Sequence, residues 1–319
     1  QNLIFDEQAL WSHRAMAAQL ESLTTYIHID VEDHSLCFLP LAHALERAWT
    51  TYLMYHGCMN TFVPDTRKVA DMMVLAQPTM MVSVPKLYET VFKAANEKVA
   101  SNPLKKAIFT WALKIGHRAQ KHYRSGKPLS SLLKLQLKLA DKLVLSSVRE
   151  AVGGRKTILV NGGSALRVEV EEFFAACGLP ILNGYGMTEA APLITFNSPT
   201  RFKVGTVGRV MPGGELKIGK EGEILFRGPN LMDRYWNNPE WTREAIVDGW
   251  LHTGDVGEID EDGFVTITDR LKDIIVTSAG KNIAPQAIEG IVMTDPLFEQ
   301  AVVLGNNRPY LTMLMKPSL

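Results

Sequence analysis

The sequence predicts an α/β protein in three parts: a parallel α/β sheet, a small antiparallel β-barrel or sandwich, and the start of an α+β domain. Three patterns that follow one another along the 319 residues support this fold class. Residues 1–200 alternate helical patterns with short apolar runs, and residues 201–270 carry short strand patterns separated by glycines. Residues 271–319 return to a mixture of strand and helix, so we expect domain boundaries near 200 and 270.

The first part is predicted to contain buried strands at 35–39, 80–84, 158–160 and 181–182. Between the last two strands, apolar side chains recur at helical spacing: Val170, Phe173, Phe174 and Cys177. Gly178 and Pro180 then end that helix. The pattern predicts a β-α-β unit, in which the loops after both strands leave the same edge of the sheet.

The second and third parts have shorter elements. Strands are predicted at 215–218, 223–227 and 257–259, and Asp262-Gly263 joins the last of these to a strand at 264–268. Asp-Gly between two alternating runs is a strong hairpin signal, which favours antiparallel pairing here. The third part is predicted to have a strand at 273–277, a helix from Pro285 to Met293 and a strand at 301–304.

Composition excludes several classes of protein. Hydrophobic residues make up 46% and charged residues 21%, which is typical of a globular chain and unlike a disordered one. The longest apolar stretch, 72–84, is interrupted by Gln77-Pro78, so no membrane span is predicted. Three scattered cysteines without a C-x-x-C pair favour a reducing, cytoplasmic compartment. Because residue 1 is glutamine and no leader pattern follows it, we expect the chain to be part of a longer protein.

Charge is segregated along the chain although the formal net charge is zero. Residues 101–156 contain thirteen lysines and arginines against Asp141 and Glu150, a local charge of +11 that the other residues balance. Within this stretch a leucine stripe recurs at helical spacing: Leu132, Leu135, Leu139 and Leu143. The favoured interpretation places the charges in solvent and an apolar core beneath them. The alternative is that 103–152 contacts anionic lipid at the inner face of a membrane; no nucleic-acid partner is predicted.

Two glycine-rich loops follow the strands of the β-α-β unit. Gly162-Gly163-Ser164 follows the first strand, and the segment 183–189, Asn-Gly-Tyr-Gly-Met-Thr-Glu, follows the second. Ligands of open α/β sheets bind at this edge, where glycine allows the backbone to approach a ring or a phosphate. Tyr185 is suited to stacking on a base, and Thr188 with Glu189 to binding a phosphate and its Mg²⁺. A pair of tight turns without a ligand is the alternative.

The 183–189 loop resembles the Y-G-x-T-E motif of the adenylate-forming (AMP-binding) acyl-CoA synthetase superfamily, and 162–164 resembles that superfamily's adenine loop. Four further segments agree with superfamily motifs in order and spacing: G-E-I-L-F-R-G-P at 222–229 with Tyr235-Trp236, W-L-H-T-G-D at 250–255, D-R-L-K-D at 269–273 and G-K-N-I-A-P at 280–285. Segments 39–47 and 84–89 narrow the resemblance to long-chain fatty acid:CoA ligases. The resemblance covers essentially the whole chain.

The resemblance implies the adenylate-forming synthetase fold and a reaction in two steps. A fatty acid attacks the α-phosphate of ATP to give acyl-AMP and pyrophosphate, and coenzyme A then displaces AMP. Mg²⁺ assists, with Glu189 as its ligand and Thr188 and Glu189 as the catalytic pair. The resemblance assigns His43 to the acyl pocket, Lys272 to the hinge, and Gly280 and Lys281 to coenzyme A. The nucleotide-binding residues it implies are Gly162, Gly163, Ser164, Asn183, Gly184, Tyr185, Gly186, Met187, Thr188, Asp255 and Arg270.

The sequence also departs from the superfamily pattern. It contains neither the Ser/Thr/Gly-rich phosphate loop nor the late lysine that stabilises the adenylation transition state. A G-x-x-x-x-G-K stretch, 214–220, is followed by Glu221 instead of Ser or Thr, so it does not predict a phosphate loop. Ala279 stands where many relatives have glycine. We therefore expect this chain to be inactive alone. The alternatives are a ligase that loads a carrier protein, a ligase for a shorter or aromatic acid, and a non-catalytic adenylate-binding module.

Overall fold

The computed structural model describes residues 9–278, 281–293, 295 and 297–317. The helices and strands up to residue 210 are β1 (Ala9–Leu10), α1 (His13–Thr24), β2 (His34–Cys37), α2 (Ala44–His56), β3 (Met59–Phe62), α3 (Val69–Ala76), β4 (Met80–Ser83), α4 (Pro85–Ala100), α5 (Pro103–Arg124), α6 (Ser131–Ala140), α7 (Ser146–Ala151), β5 (Ile158–Asn161), α8 (Val168–Ala176), β6 (Ile181–Gly186), β7 (Leu193–Phe196) and β8 (Arg209–Val210).

The later elements are β9 (Glu215–Ile218), β10 (Glu223–Arg227), β11 (Arg234–Tyr235), α9 (Pro239–Ala245), β12 (Ile246–Val247), β13 (Trp250–Ile259), β14 (Val265–Arg270), β15 (Ile275–Val276), β16 (Asn282–Ile283), α10 (Pro285–Val292), β17 (Phe298–Leu304) and β18 (Thr312–Pro317). The α/β class predicted from the sequence is confirmed. The domain boundaries at 200 and 270 stay a prediction.

A seven-stranded sheet in the order β3-β2-β4-β5-β6-β7-β8 organises the first part. Strands β2 to β6 pair in parallel, as predicted, whereas β7 and β8 add an antiparallel edge. Only residues 187–192 join β6 to β7, and a parallel pair needs a crossover of about a dozen residues or more. The short connection therefore turns β7 back beside β6.

Both faces of the parallel strands are buried. Met81 and Leu159 belong to an apolar cluster with α3 to α8, and Val82 and Val160 belong to a second cluster with α1 and α2. This alternation is the pleat of a strand covered on two sides. The apolar side chains predicted at helical spacing along α8 are buried as expected: Val170, Phe173, Phe174 and Cys177. Gly178 follows them at φ +80°.

The antiparallel region is a five-stranded sheet in the order β12-β13-β10-β9, with β14 beside β13. The predicted hairpin at Asp262-Gly263 joins β13 to β14, although the connection spans residues 260–264 instead of two residues. The Asp260 carboxylate accepts the amides of Asp262 and Phe264 and so stabilises the turn. The hairpin sets Asp255 of β13 opposite Arg270 of β14.

The prediction that the leucine stripe of residues 132–143 packs into the core is wrong. Its four side chains are exposed by 51–66%: Leu132, Leu135, Leu139 and Leu143. Helix α6 instead buries Leu133 and Ala140 against α5. Leucines occur at five of the positions 132–139, so two overlapping stripes with helical spacing are present. Only one stripe contains the small side chain of Ala140, which allows close packing against the neighbouring helix. None of the helices in the described ranges combines the length and apolar character needed to cross a bilayer.

Candidate active site

Two adjoining clefts, of about 550 and 470 Å³, open beside the carboxyl ends of the parallel strands. They share five residues on their walls: Asn161, Gly163, Gly184, Gly186 and Arg270. Fourteen of the residues proposed from sequence line one cleft or both: His43, Gly162, Gly163, Ser164, Asn183, Gly184, Tyr185, Gly186, Met187, Thr188, Glu189, Asp255, Arg270 and Lys272. We call the larger space, lined by Thr188 and Glu189, the first cleft, and the one lined by Tyr185 and Asp255 the second cleft.

The glycines of the 183–189 loop are required by packing as well as by the cleft. A side-chain carbon on Gly184 would meet the Phe196 ring at 2.9 Å, and one on Gly186 would overlap the Pro192 carbonyl. Strand β7 therefore lies so close to β6 that only glycine fits at these two positions. The sequence analysis explained these two glycines by ligand access alone, and that explanation is incomplete.

Asp255 is a buried carboxylate on the wall of the second cleft, and it accepts bonds from two other side chains. Its side chain is 8% exposed, its Oδ2 accepts a 2.7 Å bond from the Tyr185 hydroxyl, and its Oδ1 accepts a 3.1 Å bond from Arg270 Nε. Burial raises the pKa of Tyr185, so its hydroxyl stays protonated and donates. A carboxylate accepts up to four hydrogen bonds, so Asp255 keeps capacity for ligand hydroxyls.

Glu189 lines the first cleft. It lies in the short 3₁₀ turn Thr188–Ala190 that follows β6. Its carboxylate is buried and accepts a 2.6 Å bond from the Tyr235 hydroxyl, while the Thr188 carbonyl accepts a 2.7 Å bond from Trp11 Nε1. Sequence reasoning missed both partners. The Tyr235-Trp236 pair in the matched motif was the signal for one of them; nothing in the sequence pointed to Trp11.

A magnesium ion fits Glu189 only if other groups complete its shell. Within the described residues no three histidine, cysteine, aspartate or glutamate side chains are grouped to hold a metal. Mg²⁺ in nucleotide sites is bound by one or two carboxylates together with phosphate oxygens and waters. The donor set around Glu189 therefore fits a metal that arrives with a nucleotide.

Two residues that line the second cleft each have a buried acceptor atom without a hydrogen-bond partner among the described residues: Asn161 Oδ1 and Asp269 Oδ2. These residues are 2% and 1% exposed, and burial also raises the pKa of Asp269. An unpaired buried acceptor costs about 1–3 kcal/mol, which a ligand donor recovers. These atoms fit a ligand that brings N–H or O–H groups, as the base and ribose of a nucleotide do.

His43 caps helix α2, because its Nδ1 accepts a 3.2 Å bond from the Leu45 amide. The accepting Nδ1 leaves the ring proton of the neutral form on Nε2. Lys272 is exposed in the turn between β14 and β15, where a hinge would lie, and it lines the first cleft. Lys281 is exposed and lines neither cleft. Gly280 lies outside the described residues.

Comparison with known proteins identifies the family. The profile of the AMP-binding enzymes matches residues 9–236, and the profile of the AMP-binding enzyme C-terminal domain matches residues 272–319. The chain belongs to the AMP-binding enzyme family. The two clefts of this family member lie beside the carboxyl ends of the parallel strands, next to the loops that carry the family motifs.

Curated relatives of this AMP-binding enzyme are fatty-acid ligases. The long-chain-fatty-acid–CoA ligase FadD15 of Mycobacterium bovis is 39% identical over 280 residues, covering 88% of this chain and 46% of the relative. The long-chain-fatty-acid–[acyl-carrier-protein] ligase AEE15 of Arabidopsis thaliana is 29% identical, covering 96% of this chain and 48% of the relative. The chain thus spans about half the length of these relatives.

Solved structures agree with the fold. The o-succinylbenzoate coenzyme A synthetase MenE of Bacillus subtilis, in complex with ATP and magnesium ion, has a TM-score of 0.71 at 20% identity. That match covers 96% of this chain and 56% of MenE. The fold class proposed from sequence, an adenylate-forming synthetase with a parallel sheet and antiparallel strands, is confirmed.

Proposed function

We propose that the full-length protein activates a long-chain fatty acid with ATP, giving acyl-AMP and pyrophosphate, and then transfers the acyl group to coenzyme A. The observation that carries the proposal is the convergence of Tyr185, Asp255 and Arg270 on one cleft, next to Thr188 and Glu189 on the other. The identity to FadD15 supports the long-chain substrate and the coenzyme A acceptor.

Each side chain has a chemical task in this proposal. Asp255 accepts the ribose hydroxyls, and the bonds from Tyr185 and Arg270 hold its carboxylate in place. Arg270 also brings positive charge to the α-phosphate, where charge develops during attack by the fatty acid. Thr188 offers a hydroxyl to a phosphate oxygen. When Mg²⁺ is bound it neutralises phosphate charge, and Glu189, held by Tyr235, is its protein ligand.

The remaining roles concern the acyl group and the second step. His43 begins α2 at the wall of the first cleft, where we assign the acyl pocket. Lys272, in the turn after β14, serves as the hinge about which the C-terminal region swings between the two steps. Gly280 and Lys281 then approach coenzyme A.

Fatty-acid-dependent pyrophosphate release by the full-length protein, measured over a series of acyl chain lengths, tests the proposal. We expect the highest kcat/KM with long chains, and a loss of about 10²–10³-fold in Glu189→Gln, because a metal ligand for the transition state is removed. Glu221→Gln changes an exposed carboxylate in another turn and is the matched control. Undiminished release in Glu189→Gln would exclude the assigned role, and no release with any acid would favour a non-catalytic adenylate-binding module.

The acyl acceptor and the acid are open to a second assignment. The match to AEE15 favours a ligase that loads a carrier protein as the alternative, and a shorter or aromatic acid is the other. Acyl transfer assayed with coenzyme A and with a carrier protein in parallel distinguishes the acceptors. The chain-length series distinguishes the acids.

The 319-residue chain by itself is expected not to complete the adenylation step. Its sequence lacks a phosphate loop, and losing one preorganised donor to the transition state costs about 10²–10³-fold in rate. Pyrophosphate release from the purified 319-residue chain, compared with its Glu189→Ala variant, tests this expectation. Release above that variant would contradict it.

We also propose that the exposed face of residues 132–143, in α6 and the helical turn after it, contacts an anionic membrane surface. The four exposed leucines of the 132–143 stripe alternate along this face with exposed Lys134, Lys138 and Lys142. Apolar side chains between lysines suit the boundary between acyl chains and acidic headgroups, and a membrane holds the poorly soluble fatty acid.

Co-sedimentation of the full-length protein with vesicles tests the membrane contact. Binding to vesicles containing phosphatidylserine is expected to exceed binding to phosphatidylcholine alone. It should fall as salt shortens the screening length from about 10 Å at 0.1 M to about 3 Å at 1 M. Leu135→Asn with Leu139→Asn should weaken the binding, whereas Val74→Asn, at an exposed position of α3, is the control. Equal sedimentation with both vesicles would reject the contact.

A further inference from the structure

Strand β13 carries a bulge at residues 253–255, the segment that ends in Asp255. Strands β13 and β10 pair on both sides of this bulge, but residues 253–255 face only Ile224 of β10. A bulge leaves backbone groups without their partners in the ladder and changes the direction of the side chains beside it. The direction of the Asp255 side chain therefore depends on what holds the bulge in place.

The Glu223 carboxylate, at the start of β10, binds two donors of the bulged segment. Its Oε1 accepts a 3.0 Å bond from the Gly254 amide, and its Oε2 accepts a 2.9 Å bond from His252 Nδ1. The Glu223 side chain is only 15% exposed, although it lines the first cleft. Gly254 has φ +69°, a conformation that other residues adopt only at a cost. Glu223 thus joins the middle of the bulge to β10.

The Thr253 hydroxyl joins the same bulge to β10 at a second point. Its Oγ1 donates a 2.7 Å bond to the Ile224 carbonyl and accepts a 3.1 Å bond from the Asp255 amide. Thr253 is buried, so these backbone groups need partners within the protein. Two side chains, those of Glu223 and Thr253, therefore replace ladder bonds that the bulge interrupts.

The bulge lies between the two clefts. Thr253 and Gly254 line the first cleft, whereas Asp255 lines the second cleft. On its other side β13 pairs with β14, where Asp255 lies opposite Arg270. Hydrogen bonds weaken steeply when their geometry departs from the preferred distance and angle. A small shift of the bulged backbone would therefore change how well the Asp255 carboxylate binds the hydroxyl groups of a ligand.

We propose that Glu223 is a positioning residue: by accepting the Gly254 amide it holds the bulge and thereby aims the Asp255 carboxylate at the ribose hydroxyls of the nucleotide. Glu223 acts through the backbone of β13 and is not itself a catalytic residue. The inference rests on the proposed function in so far as Asp255 binds the ribose.

The test compares the binding of AMP and of 2′,3′-dideoxy-AMP to the full-length protein by calorimetry. Because the second ligand lacks both ribose hydroxyls, the ratio of the two dissociation constants reports what these hydroxyls contribute. Titration in EDTA excludes a metal ion bound by Glu223 as the cause of any change. Glu223→Met removes both carboxylate oxygens, and we expect it to lower the preference for AMP by about fivefold or more while changing dideoxy-AMP binding little.

Glu258→Met is the matched control, because it makes the same change at an exposed position of β13. It should keep the wild-type preference for AMP. Glu223→Gln separates hydrogen bonding from charge: its amide oxygen can accept from Gly254, and its NH₂ can donate to His252 Nδ1 once the neutral ring carries its proton on Nε2. We expect Glu223→Gln to keep most of the preference. A loss equal to that in Glu223→Met would overturn the inference, since charge and not the accepted bond would be responsible.

A merely structural role for Glu223 would weaken the binding of both ligands by the same factor. That result in Glu223→Met, or unchanged binding, would overturn the inference and leave the ligase proposal intact. Thr253→Val loses the bonds to Ile224 and Asp255, so it should also lower the preference for AMP, and it serves as the test if Glu223→Met does not fold.

The wild-type protein separates the inference from the proposed function. If it binds AMP and dideoxy-AMP equally, the ribose role of Asp255 fails and the inference fails with it. If it prefers AMP, and the preference falls in Glu223→Met but not in Glu258→Met, the inference stands even when no fatty acid is adenylated. In that case only the reaction assigned under the proposed function is wrong.

Discussion

Asp255 illustrates at the scale of one residue how a strand places a charge in a cleft. Asp255 is buried, and its carboxylate accepts hydrogen bonds from the Tyr185 hydroxyl and from Arg270 Nε. A turn-capping aspartate would be exposed and would accept mainly backbone amides. The observed partners instead are side chains from two other segments of the wall.

Asp255→Ala in the full-length protein is expected to weaken AMP binding tenfold or more. Each hydrogen bond from a ligand hydroxyl to a charged acceptor contributes about 1.5–3 kcal/mol, and the change also leaves Arg270 without its partner. Calorimetric titration with AMP measures the effect. Glu258→Ala, which removes an exposed carboxylate from the same strand, is the control, and equal affinities for the two variants would contradict the assignment.

Lys156 is a buried lysine that makes the free energy of unfolding depend on pH. Its side chain donates a 2.9 Å bond to the Pro78 carbonyl, and burial lowers its pKa to about 7. Because the unfolded chain binds this proton up to about pH 10.5, the lysine lowers the free energy of unfolding increasingly as the pH falls from about 10.5 to 7. Above that range the penalty disappears.

Lys156→Met is therefore expected to raise the free energy of unfolding by about 2–4 kcal/mol at pH 7.5, after allowing for the lost hydrogen bond. The gain should shrink to about zero at pH 10. Urea unfolding of both proteins at the two pH values measures it. Lys127→Met changes an exposed lysine and should show no such pH dependence; a gain for Lys156→Met that is the same at both pH values would contradict the account.

At the scale of elements, the crossing of α5 and α8 depends on one glycine. A side-chain carbon on Gly116 of α5 would overlap the carbonyl oxygen of Ala176 at the end of α8. The helices therefore approach each other closely only because this position has no side chain. The crossing positions α8, whose residues Val168 and Glu171 line the second cleft.

Gly116→Ala is expected to lower the free energy of unfolding by about 1–3 kcal/mol, because the crossing must open. In an exposed helix the same change usually stabilises by up to about 1 kcal/mol. Gly290→Ala in α10 supplies that comparison, because among the described residues no atom outside the helix's own neighbouring backbone lies within 4 Å of the added carbon. Denaturant unfolding measures both. Stabilisation by both variants would show that the crossing tolerates a side chain.

At the scale of the whole molecule, Arg167 joins the α/β part to the C-terminal region. Its Nε lies 3.5 Å from Glu89 Oε1 on α4, and its Nη1 donates a 3.1 Å bond to the Met293 carbonyl at the end of α10. A cation at a helix C-terminus is favourable because carbonyl groups there lack partners within the helix. The arginine thus stabilises this orientation of α10.

Arg167→Ala should accelerate amide hydrogen exchange in the α10 segment 285–293 by about two- to fivefold, as expected for the loss of about 0.3–1 kcal/mol. Exchange in β4 and β5 should be unchanged. Mass spectrometry of peptides from the full-length protein measures both. Arg67→Ala, which removes an exposed arginine that pairs with nearby Asp65, is the control, and equal exchange in both variants would reject the role.

Much of the fold followed from local pattern. The two-residue alternation of strands, the helical spacing around Phe173 and the turn at Asp262-Gly263 are set by neighbouring residues, so they can be predicted without a structure. The same reasoning predicted that the loops after β5 and β6 share one sheet edge, because a β-α-β crossover leaves both strands parallel. Motif resemblance then supplied the candidate site residues that line the two clefts.

Only the tertiary structure decided which surfaces pack and which distant side chains meet. Two leucine stripes of α6 satisfy the same periodicity, and contact with α5 selected the one containing Leu133. The hydrogen-bonded pairs Tyr235–Glu189 and Trp11–Thr188 likewise join residues that lie far apart along the chain. Their partners are separated along the chain by whole elements, and the distance between such residues depends on how those elements pack, whereas periodicity reports only the direction of a side chain from its own element.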